Sequence, residues 1–378
     1  MDIDVRTISS EGIGGRPMFH PKVGRHPSGR LYMALQTIGG SDYYGPVEYS
    51  VSDDDGYTWS TPKAVPTLGW DVLKGYDNAN EGVCDTVVNY DAASDSMLFV
   101  GHNVFYRNNR FMDTLGHWGK DDFAPELKIR GVYSALRNDG TWTPRQTIAP
   151  DAFAANVSFS CGCGQRVVRH DGEWLIAFYG QELDHPPFCF VTVYRARYDG
   201  SSFRLLEHGS ILTHRVGRGL MEPSIMEFQG EVMLTLRAED GKAYWSRSAD
   251  GLHYAPIQPW RFDDGTELET SSTQQHFLCT NDRLFLSYTR KNDVNEKVMR
   301  FRAPLYIAQV NPDDMTLVRD TEAIVIPLDG DPAKPETVRH SGNFMPTRIS
   351  KDKWIIADGQ CLPVKPYTSV LKIAHITF

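Results

Sequence analysis

No stretch approaches the roughly 20 consecutive apolar residues that a membrane-spanning helix needs, so no membrane partner is expected. The start, Met1-Asp2-Ile3-Asp4, lacks the basic and apolar regions of a secretory leader. A cytoplasmic protein is expected if Met1 is the native start, and a periplasmic or secreted one if a leader has been removed. Long basic runs are missing too, and the net charge is −9, which argues against nucleic acid as a partner. The six cysteines are scattered, and the one close pair, Cys161 and Cys163, fits neither zinc-ligand nor thioredoxin-like spacing. They read as buried free thiols. Three histidines that matter below, His20, His102 and His276, are too far apart in sequence for a local metal motif, so no metal and no cofactor are expected. Helical periodicity is weak throughout.

What the chain has instead is turns and short apolar runs. The 32 glycines and 22 prolines suit many tight turns, and aromatic residues at 11% suit both short strands and sugar-stacking surfaces. A polar turn followed by an apolar strand recurs six times. The copies are Gly29–Leu35, Asp95–Val100, Gly172–Phe178, Gly230–Leu236, Asp282–Tyr288 and Asp352–Ala357. Each is preceded by another strand-like run, such as Val83–Tyr90, Gln165–Arg169 or Ser224–Phe228. Two short strands joined by a polar turn make a hairpin, and hairpins repeated at this period imply propeller blades. An all-β, six-bladed β-propeller spanning residues 1–378 as a single domain is therefore expected. Strand-like runs at Asp4–Ser9 and Leu371–Phe378 suggest that the N-terminal strand joins the last blade and closes the ring.

A second repeat sits between these hairpins. Ser52, Asp54, Gly56, Thr58 and Trp59 have the spacing S-x-D-x-G-x-T-W, and shorter relatives occur at Asp139–Trp142, Asp199–Phe203 and Asp250–Tyr254. Asp and Gly build tight turns, so these are read as structural. The Ser52–Trp59 segment resembles the Asp-box, or BNR repeat, of the sialidase superfamily. So do Glu222-Pro223-Ser224-Ile225-Met226-Glu227, Thr235-Leu236-Arg237 and Tyr244-Trp245-Ser246. The resemblance implies a sialidase-like propeller and a carbohydrate-active enzyme. It places Glu222 at the family's tyrosine-assisting glutamate and Arg237 at a carboxylate-binding arginine. The chain departs from true sialidases at two catalytic positions. Phe19-His20-Pro21 stands where the family has Arg-Ile-Pro, with Arg16 near but out of register. Ser341-Gly342-Asn343-Phe344 stands where the family has its nucleophilic tyrosine. Little activity on a simple sialoside is expected.

Blade geometry nominates a site independently. Inner strands begin, and second strands end, at the same end of the ring near its axis. The inner-strand starts supply His20, Glu81, Asp85, Gln165, Glu222, Gln275, His276 and Asn343, and the second-strand ends supply His102, Gln181, Arg237, Arg290 and Asp358. His20, His102, Glu222 and His276 are the candidate catalytic residues, since imidazole and carboxylate transfer protons. Arg237, Arg290, Tyr106, Arg107, Gln275 and Asn343 are the candidate substrate-binding residues, because paired guanidinium groups suit a carboxylate. The polar and aromatic segment Gly101–Lys120 is long for a blade turn, and Tyr106 or Trp118 could stack on a sugar ring. Glycosidic cleavage next to an acidic sugar, in an oligosaccharide or polysaccharide partner, is the leading functional expectation. It would need two carboxylates, for which Glu222, Glu81, Asp85 and Asp358 are available. Elimination at a uronate and non-catalytic glycan binding are the alternatives.

Overall fold

The computed structural model describes every residue except 9–12, 116–123, 149–156, 183–187 and 363. Six antiparallel sheets form the blades of a propeller. Blade 1 opens with strands Met18–Arg25 and Leu31–Gly40, blade 2 with Ala79–Asp91 and Ser96–Arg107, and blade 3 with Val157–Ser160 and Glu173–Glu182. Blades 4, 5 and 6 open with Met221–Phe228 and Glu231–Arg237, His276–Cys279 and Leu284–Thr289, and Met345–Arg348 and Lys353–Cys361. Blades 1 and 2, 4 and 5, 5 and 6, and 6 and 1 touch through their first strands, and Val167–Val168 of blade 3 touches the first strands of blades 2 and 4, so these segments line the axis. Among the described residues no helix is long and apolar enough to cross a membrane.

The N-terminal strand Asp2–Ile8 is the outermost strand of blade 6, paired from Asp2 opposite Thr377 to Ile8 opposite Leu371. It supplies the ladder partners that Ser369–Thr377 would otherwise present as an open edge. Of the run Asp4–Ser9 read from the sequence, Ser9 lies outside the described residues.

Side chains alternate along each strand, so each sheet is apolar on both faces and buries both against its neighbours. One cluster, with Leu98, Tyr133, Phe159, Trp174 and Phe178, fills the space between blades 2 and 3. Another, with Leu31, Met33, Ile355 and Ile373, fills that between blades 1 and 6. Each such buried side chain is worth about 1.5–3 kcal/mol. Indole N–H groups tie blades together: Trp174 donates to Asp91 at 2.7 Å and Trp354 to the Cys279 carbonyl at 2.9 Å.

The outer turns have a common build. In the Ser52–Trp59 turn, Asp54 Oδ1 accepts from Thr58 N at 2.9 Å, Ser52 Oγ accepts from Gly56 N at 2.9 Å, and Trp59 Nε1 donates to Gly56 O at 2.9 Å. Asp139, Asp199, Asp250 and Asp314 accept from backbone N–H groups two residues on in the corresponding turns of blades 2 to 5. These aspartates close turns at the rim of the ring.

The feature that positions the site is a bulge repeated in three inner strands. In blade 1 the ladder skips between Phe19 and Lys22, in blade 2 between Cys84 and Val87, and in blade 4 between Met221 and Ser224. The first residue of each skip is left-handed: His20 at φ 53°, Asp85 at φ 54° and Glu222 at φ 44°. Such a backbone costs a non-glycine residue on the order of 1–3 kcal/mol and persists where its surroundings enforce it, often at functional sites. The bulge re-aims one side chain out of the strand's alternation, and in all three blades that side chain is polar and lines the same cavity.

Candidate functional site

A cavity of about 500 Å³ opens at one end of the axis, lined by strands of five of the six blades and by connections that include one within blade 5. It has an arginine wall and a histidine wall.

On the arginine wall, Glu222 Oε2 accepts a 2.6 Å hydrogen bond from Arg237 Nη1, and Arg237 Nε donates to Ser272 Oγ at 3.0 Å. Ser272 Oγ also donates to Glu239 Oε1 at 3.1 Å, and Glu239 accepts from Arg218 Nε at 2.8 Å. Burial works to raise the Glu222 pKa, but the charge and hydrogen bond of Arg237 outweigh it and hold the carboxyl below its ordinary range. Arg300 and Arg302 line the same wall. Neither forms an ion pair with a described residue, and Arg302 Nε is buried without a hydrogen-bond partner. Burial, then the charges of Arg237, Arg302 and Arg218, pull Arg300 down to about 10. Arg302 is lowered by burial and by Arg237. Four guanidinium groups thus crowd one wall, and only two have carboxylate partners.

On the histidine wall, Asp85 Oδ1 lies 3.5 Å from His20 Nδ1, and Asp85 Oδ2 lies 4.0 Å from His102 Nε2. Cys84 Sγ is 3.3 Å from that same His102 nitrogen, and Ser160 Oγ is 2.9 Å from its other nitrogen, Nδ1. The His20 ring is packed by Phe19 and Tyr44, with centroids 4.4 and 4.3 Å away. Burial pulls His20 down to about 4 despite Asp85, and lowers His102. Asp85 is held below its ordinary range because His20, His102 and Lys22 outweigh its burial. Cys84, Asp85 and His102 present three donor atoms within 4.8 Å of one another, the one such group of a size to hold a metal among the described residues.

Beneath the cavity the axis is packed with polar groups. Lys22, fully buried, donates to Gln274 Oε1 at 3.4 Å and to the carbonyls of Asn343 and Phe344 at 3.2 and 3.3 Å.

Of the candidates named from the sequence, His20, His102, Glu222, Arg237 and Asn343 line the cavity together, as does Asp85. The others do not. His276 is fully buried below it, 2.7 Å from Ser224 Oγ and edge-on to Phe344, because its strand starts lower on the axis. Gln275 faces into blade 4, where its Oε1 accepts from Thr235 Oγ1 at 3.2 Å. Arg290 points outward and is held by both oxygens of Glu322, at 2.8 and 2.6 Å. Tyr106 is buried behind the wall between Tyr43 and Trp70, its hydroxyl accepting from Tyr44 N, so no sugar reaches its ring. Arg107 ends its strand beyond the lining. Trp118, with His117, lies outside the described residues. Glu81 is tied to Asn103 and Arg145, Gln181 to the Leu115 carbonyl, and Gln165 to the backbone of Phe277. Arg16 is paired with Glu48. Asp358 is fully buried in blade 6 without a partner for either oxygen, and burial raises it to about 6.

Reading strand ends alone missed Tyr44, Tyr179, Arg218, Arg300 and Arg302. Arg300 and Arg302 lie in the long connection between the second and third strands of blade 5 (290–304), a length that itself signals a binding loop.

No protein-family model and no curated protein matches the sequence. Solved structures do. A protein of unknown function from Dyadobacter fermentans DSM 18053 aligns over 99% of both chains, with a TM-score of 0.65 and 16% identity. Hadza microbial sialidase Hz136 aligns over 96% of this chain at a TM-score of 0.65 and 14% identity. Trypanosoma rangeli sialidase, solved in complex with the inhibitor DANA, aligns over 95% at a TM-score of 0.60 and 13% identity. The alignments cover 66% and 55% of those two sialidase chains. At these identities the likeness is one of architecture: the chain has the six-bladed propeller fold of the sialidases.

Proposed function

We propose that the cavity binds an acidic sugar and cleaves the glycosidic bond beside it. The observation that carries this reading is the surplus of guanidinium groups. Arg300 and Arg302 crowd against Arg237 and Arg218 without carboxylates of their own, and an anionic ligand relieves that repulsion. A planar guanidinium pairs both oxygens of a carboxylate, which fixes the ligand's orientation as well as its charge. Glu222, oriented by Arg237, and Asp85, 3.5 Å from His20 on the histidine wall, are two cavity-lining carboxylates that hydrolysis can draw on.

Elimination at a uronate is the second reading, and the contact between His20 and Tyr44 favours it. Their ring centroids are 4.3 Å apart, and the Tyr44 hydroxyl donates to Asp42 at 3.3 Å. An imidazole and a phenol opposite an arginine wall are the parts needed to remove a proton next to a neutralised carboxylate.

The test is incubation of the purified protein with uronate-containing oligosaccharides, read for new reducing ends and for ultraviolet absorbance of an unsaturated product. Reducing ends without the absorbance support hydrolysis. The absorbance transfers the proposal to elimination. Neither signal, with binding intact, leaves a glycan-binding propeller and overturns the enzymatic reading.

A further inference from the structure

The geometry points to a zinc site on the histidine wall, held by Cys84 Sγ, Asp85 Oδ2 and His102 Nε2, with its fourth position open to the cavity. No ligand spacing announces it, because two ligands are adjacent residues at a bulge and the third comes from the neighbouring strand. Cys84 is paired directly opposite His102 in the ladder, and the bulge that follows turns Asp85 back toward them.

Zinc bonds of about 2.0–2.3 Å at tetrahedral angles place ligand atoms roughly 3.3–3.7 Å apart. Here the sulfur–nitrogen, sulfur–oxygen and nitrogen–oxygen separations are 3.3, 3.8 and 4.0 Å. To bind, the sulfur and oxygen close by about 0.2–0.3 Å, the nitrogen and oxygen close by about 0.6 Å, and the sulfur and nitrogen open by about 0.2 Å, shifts within reach of side-chain torsions. Their chemistry also suits zinc, a borderline-soft ion that takes sulfur, imidazole and carboxylate together.

Two further observations point the same way. The other nitrogen of His102 is 2.9 Å from Ser160 Oγ. With the proton on Nδ1, the Nε2 lone pair faces Cys84, which is the orientation that outer partners impose on metal-bound histidines. In addition, Asp85 Oδ1 and His20 Nδ1 are both buried without a hydrogen-bond partner, 3.5 Å apart. His20 itself is only 3% exposed. A metal on Oδ2 would orient the carboxylate so that Oδ1 accepts from His20, which satisfies both orphaned atoms. Binding releases the Cys84 thiol proton to solvent and leaves a thiolate on the metal.

Three protein ligands and an open fourth position are the pattern of a catalytic rather than a structural zinc. All three ligands line the cavity, so a water or a sugar oxygen there would face the arginine wall. This role rests on the proposed function and takes over the part given there to Asp85, whose two oxygens would be held by the metal and by His20; the metal site itself does not rest on that reading.

The test is spectroscopic and independent of turnover. The full chain, stripped with a chelator, is titrated with Co²⁺, and one ion per chain is expected, with strong tetrahedral visible bands and a near-ultraviolet thiolate-to-cobalt band. Cys84→Ser removes the thiolate band, whereas Cys279→Ser, in blade 5, keeps it. Ser160→Ala keeps the band but weakens Zn²⁺ affinity by about 10–100-fold in competition. Circular dichroism of each variant establishes that it is folded. No uptake by the wild-type protein, or a thiolate band that survives in folded Cys84→Ser, overturns the proposal. Cobalt uptake without glycan cleavage supports the site and removes only the functional reading; cleavage by metal-free protein with no uptake does the reverse.

Discussion

Glu222 and Arg237 form a 2.6 Å ion pair across the first two strands of one blade, at the point where the inner strand leaves its ladder. The bulge lifts Glu222 out of register so that its carboxylate meets the guanidinium that ends the next strand. Arg237→Lys keeps the charge but loses the bonds from Nε to Ser272 and from Nη1 to Glu222. Affinity for an acidic glycan is expected to fall while the protein stays folded. Glu222→Gln keeps an acceptor for Arg237 but loses the charge, and turnover is expected to drop by about 10²–10⁴-fold with a much smaller change in binding. Steady-state kinetics with parallel calorimetric binding separates the two effects.

Arg300 and Arg302 trade stability for recognition. Each is half-buried beside like charge, so Arg300→Ala relieves repulsion on this wall. Its thermal midpoint should hold or rise, while binding of a uronate ligand weakens by on the order of 10–100-fold, the worth of a charged hydrogen bond. Arg302→Ala should weaken binding comparably. A variant that loses stability in step with affinity would place these arginines in the scaffold instead.

His340 makes a contribution to the pH dependence of stability whose sign can be worked out. Burial, with help from Arg302, lowers this histidine to about 4, below the roughly 6.5 of the unfolded chain. Between those values the unfolded state binds more protons, so stability is full above about pH 6.5 and declines as pH falls toward 4. The decline is worth up to about 3 kcal/mol. Urea unfolding of wild type and His340→Gln at pH 7 and pH 5 should show a smaller loss in the variant.

The fold was legible because it is periodic: each blade repeats the same apolar hairpin, and each outer turn the same aspartate chemistry. The site was legible where it sits on that period. His20, Glu222, His102 and Arg237 occupy corresponding strand positions, so counting strands finds them. Arg290 and His276 satisfy the same count but fail for physical reasons. A neighbouring glutamate, Glu322, captures Arg290, and the strand that carries His276 enters the axis below the cavity. Arg300, Arg302 and Arg218 were illegible because connections, not strands, carry them, and no periodicity governs where a connection folds back. The bulges themselves left no pattern, since His20-Pro21, Asp85-Thr86 and Glu222-Pro223 share only a polar residue in a left-handed backbone.

Gly164 tests whether blade 3 fixes the position of Glu222. It packs directly on the inner strand of blade 4, and a Cβ there would sit 1.7 Å from the Pro223 carbonyl oxygen. That atom is backbone, so it cannot swing aside as a side chain would. Gly164→Ala must push apart the two inner strands, which are also joined by a 2.8 Å bond from Gln165 N to Ser224 Oγ. Because Pro223 follows Glu222 in the bulge, the displacement reaches the carboxylate and its bond to Arg237. A stability loss of about 1–3 kcal/mol, typical of overpacking, should accompany a fall in turnover. Gly140→Ala is the matched control: Gly140 has φ 82° and nothing within 4 Å of its Cβ position. It should lose about 1–2 kcal/mol from left-handed strain alone and leave turnover unchanged. Equal turnover in the two variants, measured well below their unfolding transitions, would show that the Glu222 bulge is set within blade 4 and not by its neighbour.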